Sequence, residues 1–182
     1  MKRIICSFLL LVPALCSADT ESEFFKNPFM GLGVWFGGDK VANNPDGDNY
    51  DAGSGAIMEL GAFYQPFQNM EIMHRNSVAY RYQGAKTGKG ESSGVVLETS
   101  LSKEWTNIGL GAGFHVDLMN QVSDTDGNKT KFKNSIGPVI YAEWVASEKL
   151  NFVFRYLMVD YEAEDGTGFS GNQFGVFLLV KM

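Results

Sequence analysis

The sequence predicts an all-β fold, an eight-stranded antiparallel up-and-down transmembrane β-barrel. Three observations predict it. Apolar and polar residues alternate with a period of two along eight segments, the pattern of strands whose faces meet different surroundings. Short and long connections alternate between those segments, which gathers every short turn at one end of a closed meander. One face of the segments is nearly unbroken hydrocarbon, while the other mixes glycine, small residues and isolated charges.

The chain opens MKRIICSFLLLVPALCSADT. Lys2 and Arg3 are followed by an apolar stretch from Ile4 to Leu15 and by the small-residue site Cys16-Ser17-Ala18. That stretch is too short for a membrane-spanning helix, which needs about 20 residues, and the layout is that of a secretory signal peptide. Residues 1–18 are therefore expected to be cleaved, residues 19–29 to form a periplasmic segment, and residues 30–182 to form the barrel. Both cysteines, Cys6 and Cys16, leave with the leader, so no disulfide or thiolate metal site is expected in the mature chain. Without Lys2 and Arg3 the basic residues fall from 15 to 13 against 21 acidic ones, a net charge of −8, which argues against nucleic acid as a partner.

The segments span residues 30–38, 54–64, 71–83, 93–102, 108–119, 135–146, 150–162 and 172–182. QPFQNM, KEWTN and SEK read as short turns. The other connections are longer and rich in Gly, Asp, Asn and Lys, and read as loops. In the fifth segment Ile108, Leu110, Ala112, Phe114, Val116 and Leu118 oppose Gly109, Gly111, Gly113, His115 and Asp117. In the seventh, Phe152, Phe154, Tyr156 and Met158 oppose Asn151, Val153, Arg155 and Leu157.

Two arrangements fit these faces. A soluble lipocalin-like barrel turns the hydrocarbon inward; a transmembrane barrel turns it toward lipid and keeps the polar face in a small interior. Three features favour the second. Glycine occupies polar-face positions where a water-exposed barrel would carry Lys, Glu or Thr. The charges on that face nearly balance, with Glu59, Glu98, Asp117 and Glu143 against Arg75, Arg81, Arg155 and Lys181. Tight turns suggest Glu59 beside Arg75 and Glu143 beside Arg155, as buried charges require partners. Aromatic residues on the apolar face also sit near strand ends, with Tyr64, Trp144 and Phe152 toward the short turns and Phe36, Tyr80 and Tyr82 toward the long loops, the placement of interfacial girdles.

The last segment, GNQFGVFLLVKM, resembles the assembly signal of bacterial outer-membrane barrels, with Gln173, Gly175, Leu178 and Val180 in the matching positions. Such chains usually end in an aromatic residue, and this one ends in Met182, apolar and on the same face. The whole mature chain resembles the small outer-membrane β-barrel proteins of Gram-negative bacteria, of the OmpA or OmpX type. That resemblance implies a place in the outer membrane among its lipids and lipopolysaccharide and handling by the barrel-assembly machinery; the oligomeric state does not follow from it, and a monomer is the expectation. It implies no chemistry.

Candidate chemical constellations are few. His115 and Asp117 share a lumen face, but no serine follows there, and an interior polar network is the expected role. His74 and Ser77 have residue types found in lipid A deacylases, yet three residues apart on a strand they point to opposite faces. Asp46, Asp48 and Asp51 lack the glycine and glutamate register of an EF-hand loop and read as a polar turn, as does DTDGN. Lys129, Lys131 and Lys133 alternate around Phe132, which suits lipopolysaccharide phosphates with Phe132 dipping into the interface. No metal and no cofactor are expected. The expectation is a non-enzymatic barrel with a structural or surface-interaction role; a lipid A-modifying enzyme and a soluble periplasmic binder of a hydrophobic ligand are the alternatives.

Overall fold

A computed structural model describes residues 27–43, 49–51, 53–65, 71–84, 91–123 and 129–182. The leader and most of the periplasmic segment lie outside the described residues. So do Asp46, Asp48 and the DTDGN turn at 124–128.

The strands are β1 (Pro28–Gly37), β2 (Lys40–Asn43), β3 (Asn49–Asp51), β4 (Gly55–Tyr64), β5 (Ile72–Gly84), β6 (Glu91–Trp105), β7 (Ile108–Ser123), β8 (Lys129–Lys131), β9 (Ser135–Ser147), β10 (Leu150–Leu157), β11 (Asp160–Glu162), β12 (Gly168–Ser170) and β13 (Gln173–Lys181). Eight of them form one antiparallel sheet in the order β6-β5-β4-β1-β13-β10-β9-β7, and pairing of β6 with β7 closes it. The first and last strands meet in register, Phe29 opposite Lys181 and Phe36 opposite Phe174. A closed ladder pairs every backbone group and leaves no edge, the condition for a sheet to exist in hydrocarbon.

The connections β4–β5, β6–β7 and β9–β10 lie at one end with Pro28 and Met182, whose backbone amide donates to the Pro28 carbonyl. Two of the turns are tight. Trp105 faces Ile108 across a two-residue loop in which Thr106 takes a φ of 52°, and Ser147 faces Leu150. The other end carries the small hairpins β2–β3 and β11–β12 and the strand β8.

The faces sort as the alternation predicts. Leu32, Phe36, Met58, Leu60, Leu101, Leu110, Ile140, Trp144, Phe154 and Phe174 are exposed on the outer wall. Trp35, Glu59, Arg75, Arg81, His115, Asp117, Arg155 and Leu179 are buried within. Hydrocarbon on the outside excludes the lipocalin-like arrangement, which would place it inside. The inward glycines make room rather than flexibility. A Cβ on Gly111 would collide with the Tyr141 ring, and one on Gly175 would lie 2.6 Å from Trp35 Cε3. The lumen is thus filled by a few large side chains reaching across to bare backbone.

One irregularity matters. Ser93 pairs with Gln121 while Val95 pairs with Leu118, so β7 carries an extra residue there. A one-residue slip exchanges the faces, and inward positions change from Asp117 to Asn120 and Val122, all buried. β7 therefore continues past the predicted end at 119 as an extension that pairs with β8.

Arginine on the lipid face near the bilayer midplane costs about 2–4 kcal/mol. Phe154→Arg and Leu178→Arg are expected to lower the folded fraction recovered in lipid vesicles, read as loss of the heat-shifted band on a gel; Phe154→Leu is expected to leave it unchanged.

Candidate functional site

The lumen holds a continuous polar network, and Glu98 on β6 is its branch point. Its Oε1 lies 2.5 Å from Arg75 Nη2; its Oε2 lies 3.5 Å from Arg155 Nη1 and 3.6 Å from His115 Nδ1. Each partner comes from a different strand, β5, β10 and β7. Arg155 also clamps Glu59 on β4 with two hydrogen bonds, Nη2 to Oε1 at 2.6 Å and Nη1 to Oε2 at 2.9 Å. Ser77 donates to the same Glu59 oxygen at 3.4 Å. Two-point guanidinium–carboxylate contacts fix direction as well as charge.

The network continues toward the long loops. His115 Nε2 is 3.4 Å from Asp117 Oδ2, and Arg81 Nη1 is 3.0 Å from the same oxygen. The Tyr161 hydroxyl, from β11, donates to that oxygen as well. The three arginines also lie over aromatic rings. Arg75 is 4.3 Å from the Tyr141 centroid, Arg155 is 3.9 Å from Phe177 and Arg81 is 6.0 Å from Tyr161. Cation–π contact adds attraction where solvent is absent.

Two expected pairings are corrected. Glu59 is clamped by Arg155, not Arg75, and Glu143 accepts a hydrogen bond from Asn151 Nδ2 instead of meeting Arg155. Hairpin adjacency suggested the first set, but the lumen is narrow enough for side chains to cross it, and Arg155 reaches a strand 96 residues away in sequence. Lys181 stands apart at the short-turn mouth, 4.0 Å from Glu104 and over the Phe63 ring.

A cap covers the long-loop end. Phe132 is buried against Tyr161 and Phe169 at ring-centroid distances of 6.1 and 5.8 Å. A bridge between Phe132 and Ala163 ties the β8 segment to the β11–β12 hairpin. The expectation that Phe132 dips into the membrane is therefore overturned: it plugs the barrel end. Lys129 and Lys131 remain exposed, and Lys133 forms an ion pair with Glu162.

On the outer wall, His74 points away from Ser77 as expected, but it has another partner. Its Nε2 lies 2.8 Å from Thr99 Oγ1, and its ring meets Tyr64 edge-on at 4.5 Å. Gln173 is buried and points into the lumen, whereas Leu178, Val180 and Met182 line the outer wall. Among the described residues no cluster of His, Cys, Asp or Glu could hold a metal ion.

Sequence reading did not single out Trp35, Tyr141, Asn151 or Tyr161. Each lies on a lumen face, and the signal that could have found them is a bulky polar-edged residue in a face otherwise rich in glycine.

A closed eight-stranded sheet with hydrocarbon outside and paired charges inside defines the class as a small transmembrane β-barrel of the outer-membrane type. Among solved structures the chain is similar in fold to Neisserial surface protein A, with a TM-score of 0.50 at 10% identity over 86% of this chain and 96% of that one. No family model and no curated protein matches the sequence.

Removing one partner of a buried ion pair costs about 3–5 kcal/mol, because the other charge is stranded. Arg155→Met is expected to lower the unfolding free energy of refolded barrel, measured by urea titration, by an amount in that range, and adding Glu59→Gln to recover part of the loss. Phe132→Ala is expected to speed proteolysis of the β11–β12 hairpin while the membrane-protected fragment keeps its size.

Proposed function

We propose that the chain is a non-enzymatic outer-membrane protein of a Gram-negative bacterium, exported by the leader of residues 1–18. It would present four longer loops at the cell surface in a structural or surface-interaction role. The observation that carries this reading is the inversion of faces, hydrocarbon outward around a lumen of paired charge. Such a surface is stable only against lipid tails. The interior is occupied by Trp35, Tyr141, Arg75, Arg155 and the Tyr161–Phe132 cap, which supports a role other than bulk diffusion.

In this reading the assembly machinery takes up the chain by its last strand, through Gln173, Gly175, Leu178, Val180 and Met182. Lipopolysaccharide meets the exposed Lys129 and Lys131 on β8, at the end where the long loops gather. Outer-membrane lipids surround the wall, and the barrel works as a monomer.

Membrane fractionation with a heat-modifiability gel tests the proposal. The protein is expected in the outer-membrane fraction, with a faster band unheated than boiled and no porin-sized steps in planar bilayers. Release by osmotic shock with no heat shift would overturn it.

A further inference from the structure

Away from its tyrosine and tryptophan belts, the described outer wall carries one polar island. His74 and Asn76 on β5 lie beside Thr99 on β6, with Asn76 directly opposite Thr99 in the ladder. Tyr64 flanks them from β4, opposite His74. His74 and Thr99 bond each other at 2.8 Å, while Asn76 Nδ2 is buried with no hydrogen-bond partner among the described residues. An unsatisfied buried amide is costly, and rotation about its terminal torsion, which is soft, lets the NH₂ turn toward an acceptor in the surrounding lipid. The ladder partners Ala62 and Thr99 leave little bulk around it.

We propose that this island seats one glycerophospholipid of the periplasmic leaflet; the inference rests on the membrane reading above. Depth selects the ligand. Tyr64 ends β4 opposite His74, so the short-turn boundary lies at the level of that pair. At about 2.6 Å of depth per residue of tilted strand, Asn76 lies about 5 Å inside it. That is the depth of glycerol and ester groups, whose carbonyls only accept hydrogen bonds, and Asn76 supplies the spare donor.

Charge agrees with this order. Lys103, opposite Ile72 on the outward face of β6, stands at the boundary, where the phosphate would lie. Among the described residues it meets Glu71 in an exposed contact of 3.9 Å and the Trp105 ring at 5.6 Å. Deeper still, Leu60, Val78 and Leu97 give the acyl chains an exposed apolar track. Lipopolysaccharide belongs to the opposite end, with the long loops.

The test is native mass spectrometry of the detergent-extracted full chain with added dioleoylphosphatidylglycerol. One lipid retained per barrel is expected, with retention falling about tenfold on Asn76→Leu with Thr99→Val, and several-fold on Lys103→Gln. Met58→Leu, elsewhere on the wall, is expected to change nothing. On the unaltered chain the diether analogue, which lacks ester carbonyls, is expected to bind more weakly. This arm stands even if the double variant fails to fold. Equal retention of diester and diether, equal retention by folded variants, or a second protein copy in place of lipid would overturn the seat. The heat-shifted band is read in parallel, so loss of the barrel itself is told apart from loss of the lipid.

Discussion

Charge inside a hydrocarbon-walled tube has to be neutralised within the tube, and the rest of this structure follows from how that is done. Glu98 meets side chains from three strands, Arg75, Arg155 and His115, and Arg155 joins it to Glu59 on a fourth. These contacts tie together strands that the backbone ladder links only to their neighbours. Short paths between guanidinium and carboxylate demand a narrow lumen. A narrow lumen in turn demands inward positions without side chains, which Gly31, Gly111 and Gly175 supply. Glycine and charge on the same face are two halves of one packing solution.

The same constraint acts in reverse on the outer wall. A fluid of acyl chains offers no hydrogen bonds, so the wall is hydrocarbon with aromatic belts toward the ends. Trp144 stacks on Phe152 near the short turns, and Phe154 stacks on Phe174 further along. The polar side chains His74, Asn76 and Thr99 lie together near the short-turn end of the wall.

Much of this architecture is legible in the sequence because alternation with a period of two is a local property. The eight barrel strands and the inward direction of Glu59, Arg75, Arg81, Glu98, Asp117, Glu143 and Arg155 follow from it. The register of the lumen contacts does not. Arg155 and Glu59 meet across the tube, and nothing local encodes that meeting. The bulge opposite Ser93 and Val95 breaks the alternation, and segment-by-segment reading stopped there. Phe132, between alternating lysines, looked like an interfacial anchor. Its burial depends on Tyr161 and Phe169, some 30 residues further on, folding back over it.

Tyr161 belongs to two structures at once. Its ring packs into the apolar cap with Phe132, and its hydroxyl reaches down to Asp117 and Arg81 among the buried ions. The β11–β12 hairpin and the barrel interior therefore share a rivet. Any molecule that grips this hairpin pulls on the electrostatic heart of the cylinder, so the barrel has a mechanical route from its long-loop end to its buried ions.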